Sequence, residues 1–133
     1  MIPSDTPLGL PNCGVVAVAT LTGSSYSETE VLFRKHCNKK GNWRGRTTPP
    51  ERQRVLRLLG VSVPRSYSDT RTNLRRWLSD VYDPAYTYEV TITGHAVAIK
   101  NGLLFDQSHG EGVLPHESPY LRKFVRSWVC VSS

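Results

Sequence analysis

A chain of 133 residues, 38% hydrophobic and 21% charged, has room for one domain around one moderate core and none for a second. Its longest apolar stretch, Val15 to Leu21, is too short to cross a bilayer, which excludes a helical membrane span. Met1 to Asp5 lacks the basic start and apolar centre of a signal peptide, so the expectation is a cytoplasmic product. Cys13 lies so near Met1 that little room is left for a pro-segment. Three cysteines, Cys13, Cys37 and Cys130, make a poor disulfide framework and form no CxxC pair. The formal net charge of +6 draws heavily on Lys39, Lys40, Arg44, Arg46, Arg52, Arg54 and Arg57, with Trp43 among them. Such a stretch suits nucleic acid or an acidic protein partner, and equally a solvated face.

Residues 1–12, with prolines at 3, 7 and 11, should run extended across the surface. Asn12-Cys13-Gly14-Val15-Val16-Ala17-Val18-Ala19-Thr20 is apolar on nearly every side and reads as a buried helix ended by Gly23. Ser27-Glu28-Thr29-Glu30 has the capping-box pattern for a second helix running out near Asn38, and Thr48-Pro49-Pro50-Glu51 repeats it for a third, stopped by Gly60. Val61, Val63 and Pro64 suggest a short strand and turn, and Leu74, Trp77 and Leu78 a helical piece. Tyr86, Tyr88, Val90 and Ile92 alternate as in a half-buried strand. His95–Lys100 and Leu103–Gln107 are two more strands joined by Asn101-Gly102, and residues 123–132 should close the sheet. Helices first and antiparallel strands last make the class α+β, in one domain over 1–133.

Cys13 at a helix start sits where unpaired N–H groups and the helix dipole favour a thiolate. The Asn-Gly turn sets the hairpin register: Lys100 faces Leu103, Ile99 faces Leu104, Ala98 faces Phe105 and Val97 faces Asp106. His95, Val97, Ile99, Leu104, Asp106 and Ser108 then share one side, and His95 and Asp106 are diagonal neighbours about 7 Å apart. A carboxylate on one imidazole nitrogen leaves the other to take a proton from a nucleophile, and Cys13 is the candidate, because no G-x-S-x-G elbow is present.

These motifs, Pro11-Asn12-Cys13-Gly14 opening an apolar helix, Gly94-His95-Ala96-Val97-Ala98-Ile99 and Leu104-Phe105-Asp106, resemble the papain-like cysteine peptidases. The likeness is greatest to the compact branch that includes the C39-type peptidases of bacteria and phages. It covers the order and setting of three short motifs, not the chain between them. It implies a helical half headed by the cysteine, a sheet half carrying His95 and Asp106, and a substrate cleft between. The activity implied is cleavage of a peptide or isopeptide bond through a Cys13-His95-Asp106 triad, without cofactor or metal. A phage or other viral origin would make a host protein the substrate.

The family usually places a Gln before the cysteine to complete the oxyanion hole, and no Gln precedes Cys13. Asn12 has suitable chemistry, with Ser4 and Thr6 as weaker candidates. Losing such a donor typically costs a factor of about 100 to 1,000 in rate. His36 reads as a favourable charge at a helix end. A metal site from His95, His109 and His116 matches no common spacing. Gln107 and Ser108 should border the cleft, with Trp43 or Trp128 supplying an aromatic wall. The alternative function is a non-catalytic basic module that binds through Lys39 to Arg57.

Overall fold

The computed structural model describes residues 1–63, 66–67 and 71–131. Helices α1 (Cys13–Thr22), α2 (Tyr26–His36) and α3 (Pro49–Leu58) come first, followed by strand β1 (Ser66–Tyr67) and helix α4 (Leu74–Asp80). Strands β2 (Thr87–Ile92), β3 (His95–Lys100), β4 (Leu103–Asp106), β5 (His109–Val113) and β6 (Val125–Val131) follow, with a 3-10 turn at Pro115–Glu117. The strands form one open sheet in the order β1-β6-β2-β3-β4-β5, every pairing antiparallel. Mixed helices and an antiparallel sheet agree with the α+β expectation.

Local chemistry explains the helices. α1 is buried from Gly14 to Leu21 because it has no polar face to present. Its Gly14 is required by close approach: a Cβ there would lie 1.9 Å from Thr47 Oγ1 and 3.0 Å from Arg52 Cδ. α2 is capped two residues earlier than its sequence suggested. Ser25, not Ser27, forms the capping box with Glu28, and Asp5 accepts from the N–H groups of Tyr26 and Ser27 at 2.8 and 3.0 Å. Asp5 thereby ties the lead-in to the helix, and Ile2 N–H donates to Gly110 O at 2.9 Å. α3 starts at Pro49 with the expected Thr48–Glu51 capping box.

The Asn101-Gly102 turn adopts the expected positive φ at both positions, 54° and 79°. Lys100–Leu103, Ile99–Leu104 and Ala98–Phe105 pair as counted. Two strands escaped the sequence reading. β5 carries Gly110 and Gly112 and has little intrinsic strand preference; its pairing to β4 places it at the sheet edge. β1 is two residues, beyond the Val61–Val63 segment expected to be a strand, and Pro64 lies outside the described residues. β6 lies inside the sheet between β1 and β2, rather than closing an edge, and Ser132 lies outside the described residues.

The sheet separates two cores. Val15, Val16, Val18, Phe33, Val55 and Leu56 from α1, α2 and α3 pack with Ala98, Phe105, Val129 and Val131 on one face. Leu74, Trp77 and Leu78 of α4 pack with Val90, Val97, Ile99 and Leu104 on the other. A bulge in β6, where Val125 and Ser127 oppose the consecutive Ile92 and Thr91, switches Val125 to the α4 side. Burying each such aliphatic side chain contributes roughly 1.5–3 kcal/mol.

Candidate active site

The helix start and the hairpin meet by a route the alternation alone did not reveal. α1 lies on the Ala98–Phe105 face, whereas Val97, Ile99 and Leu104, which share the alternation of His95 and Asp106, belong to the opposite face. Cys13 nevertheless reaches His95, because His95 is the first residue of β3 and follows the exposed Thr93-Gly94 turn. The sulfur comes to the open end of the strand, where it accepts from Ala96 N–H at 3.4 Å.

His95 bridges Cys13 and Asp106. Its Nε2 lies 2.7 Å from Asp106 Oδ2, and its remaining nitrogen, Nδ1, is left for the hydrogen bond with the thiol. Burial opposes charge on the imidazole, but hydrogen bonds to Asp106 and Cys13 outweigh it and push the ring up to about 9. Burial likewise opposes the Cys13 thiolate, yet the His95 hydrogen bond, the Ala96 N–H and the charges of His95 and Arg52 hold the thiol below its ordinary value. The N-terminus of α1 acts in the same direction. Asn12 makes no side-chain cap and the first turn holds no acidic residue, so its positive end faces the sulfur uncompensated.

Asp106 is held by four hydrogen bonds. Its carboxylate is fully shielded from solvent and accepts from His95, from His109 Nδ1 at 2.8 Å, from Ser108 N–H at 3.1 Å and from the Tyr120 hydroxyl. Burial works against the charge, but these donors win and hold the carboxyl well below the usual carboxylate range. The Tyr120 hydroxyl is pushed up, first by burial and then by donating to Asp106. Sequence reasoning missed Tyr120, which no short-range pattern marks, and considered His109 only as a metal ligand. His109 orients the carboxylate instead, and His116 lies exposed in the 3-10 turn. No cluster of three or more metal-ligating side chains occurs among the described residues.

A cleft of about 570 Å³ opens beside Cys13 and His95, with Thr47, Arg52 and Gln107 in its wall. Asn12, the expected oxyanion donor, is fully buried. Its amide nitrogen donates to Pro7 O at 3.3 Å and Tyr26 Oη at 3.1 Å, so both of its hydrogens are engaged. Its carbonyl oxygen accepts from Gln107 Nε2 at 3.1 Å. The side-chain amide that borders the cleft is therefore that of Gln107, with Asn12 holding it from behind. Neither Ser4 nor Thr6 lines the cleft, and the Thr6 hydroxyl donates to Pro3 O at 2.6 Å.

The basic stretch is largely committed to the fold. Lys39 pairs with Glu51 at 2.9 Å, Arg54 and Arg57 donate to backbone oxygens of His36 and Val63, and buried Arg52 meets buried Glu89 at 2.6 Å. Lys40, Arg44 and Arg46 remain exposed. Trp43 is pinned against Phe33 and donates to Arg46 O at 2.8 Å, while Trp128 stacks on Tyr67; neither forms a wall of the cleft. No helix among the described residues is long and apolar enough to cross a membrane. No family model, no curated protein and no solved structure matches this chain.

Proposed function

We propose that the protein is a papain-like cysteine hydrolase that cleaves peptide or isopeptide bonds through a thioester acyl-enzyme. The observation that carries this reading is the placement of His95 between the Cys13 thiol and the buried Asp106 carboxylate. In the resting site Cys13 is a thiolate and His95 an imidazolium, oriented by Asp106.

The thiolate attacks the acyl carbon, forming a C–S bond, and the carbonyl electron pair moves onto oxygen. Backbone N–H groups at the start of α1 and the Gln107 side chain receive that oxyanion, while buried Asn12 positions Gln107 instead of donating itself. His95 gives its proton to the leaving nitrogen as the C–N bond breaks. Water then attacks the thioester while His95 removes its proton, and the carboxylic acid leaves as the thiolate and imidazolium re-form. The same acyl-enzyme serves amidases and acyltransferases, which differ only in leaving group or acceptor. The alternative, a non-catalytic basic module for nucleic acid or an acidic partner, has fewer free cations than the sequence suggested, because Lys39, Arg52, Arg54 and Arg57 are engaged.

Alkylation by iodoacetamide with peptide mapping tests the proposal. Cys37 and Cys130 serve as internal controls, since burial holds both thiols above their ordinary value. The expected result is rapid, selective modification of Cys13 that is lost in His95→Ala. Equal, slow modification of all three cysteines would refute it.

A further inference from the structure

Among the described residues, the wall of the cleft contains no aspartate or glutamate, but it contains three arginines. Arg52 is neutralised by Glu89. Arg46 and Arg126 are exposed, and neither is paired with an acid among the described residues.

Both are held in place by the fold. Arg46 belongs to the loop between α2 and α3, which Trp43 Nε1 fastens by donating to Arg46 O. Arg34 fastens it further through Gly41 O and Trp43 O, at 3.1 and 3.2 Å. That leaves the Arg46 guanidinium without a partner among the described residues. Arg126 is the residue left out of the ladder by the β6 bulge, since Val125 and Ser127 take the pairings on either side. Bulges beside active sites re-aim side chains. Here the Arg126 Nε donates to Thr93 Oγ1 at 3.2 Å and its guanidinium lies over Phe124, so both terminal nitrogens stay available.

We propose that this cleft selects peptides carrying a carboxylate next to the scissile bond, with Arg46 and Arg126 as the residues that receive it. The inference rests on the hydrolase reading and names its substrate class. A guanidinium presents a planar pair of N–H donors that matches a carboxylate, so an acidic residue satisfies charges that a neutral peptide leaves unmatched. Exposed pairs of this kind are worth little each, so the expected selectivity is modest and sensitive to salt.

The test uses short peptidyl vinyl sulfones that alkylate Cys13, in a matched pair bearing Glu or Gln beside the electrophile. A third probe bears Gln and a free terminal carboxylate. Second-order labelling rates are measured for the wild type, Arg46→Ala, Arg126→Ala and the double variant, each checked for folding by circular dichroism. The expected result is a Glu-over-Gln rate ratio of about three- to tenfold in the wild type. It should fall with added salt and approach unity in the double variant. A ratio raised only by the terminal-carboxylate probe would instead show recognition of a chain end and overturn the side-chain assignment. Equal Glu and Gln rates in the wild type would overturn the inference while leaving the nucleophile intact. Protection of Cys13 by a short single-stranded RNA, with no Glu preference, would overturn it in favour of phosphate. Slow labelling of the wild type by these probes and by iodoacetamide alike would remove the hydrolase reading, and the inference with it.

Discussion

His95 Nε2 and Asp106 Oδ2 meet at 2.7 Å, although neither residue is on the strand face that supports the cysteine helix. The pair ties folding to protonation. The His95 ring is raised to about 9, so its contribution to stability is complete below its ordinary value of about 6.5. That contribution is lost as pH rises through about 9. Asp106 is lowered, so its contribution is present above about 3.9 and lost as pH falls through its depressed value. Urea denaturation of the wild type and His95→Gln should show a gap at neutral pH that shrinks above about 9. A gap unchanged across that range would contradict the assignment.

Asp106→Asn leaves donors from His95, His109, Ser108 and Tyr120 facing an amide that cannot accept them all. We expect a loss of about 2–4 kcal/mol in stability and a fall in Cys13 labelling of about a hundredfold or more. Tyr120→Phe removes one donor and should cost only about 0.5–1.5 kcal/mol. Denaturation midpoints and labelling rates on the two variants check the order. Equal effects would mean that Asp106 acts only as one more buried hydrogen-bond acceptor.

Gln107 and Asn12 should separate by what they damage. Gln107→Ala removes a side chain at the cleft wall and its hydrogen bond to the Asn12 carbonyl, and should slow the acylation of Cys13 by a peptide substrate by about a hundredfold at a stability cost of only about 0.5–1.5 kcal/mol. Asn12→Ala removes a fully buried amide bonded to Pro7, Tyr26 and Gln107, and should cost about 1–3 kcal/mol in stability as well. Single-turnover kinetics beside calorimetry make the distinction. A Gln107→Ala protein of unaltered rate would return the oxyanion role to the helix N–H groups alone.

The Arg52–Glu89 pair is a buried ion pair, with side chains 3% and 1% exposed. Glu89→Gln leaves the guanidinium buried beside a neutral partner, and about 3–5 kcal/mol of destabilisation is expected, or a fall of roughly 10–20 °C in melting temperature. Because Arg52 also touches Gly14's helix and helps hold the Cys13 thiol down, Gly14→Ala should damage both folding and labelling. Calorimetry of Glu89→Gln showing a shift of only a degree or two would mean that the pair contributes little.

The parts of the fold legible in the sequence were those governed by local rules. The Asn101-Gly102 turn made the register of β3 and β4 countable, and the Thr48–Glu51 box marked α3, because each depends on a few neighbouring residues. The Ser25 cap was displaced by two residues because Ser25-x-x-Glu28 and Ser27-x-x-Glu30 read alike, and Asp5, distant in sequence, favours the first. β5 was hidden because its glycines are tolerated only through pairing with β4. Of the site, Cys13, His95 and Asp106 were visible as residue types in suitable settings. The cleft-side place of Gln107 was legible too, but its bond to Asn12 and the support from Tyr120 were not, since they depend on how the 107–124 connection returns across the sheet.

The central claim is that Cys13 exists as a thiolate held by His95. Titrating the ultraviolet absorbance of thiolate against pH, in the wild type and in Cys13→Ala and His95→Ala, measures it directly. The account predicts a thiolate signal at neutral pH that is absent from both variants. Absorbance that rises only in the ordinary thiol range near about 8.5, equally in the wild type and His95→Ala, would contradict it.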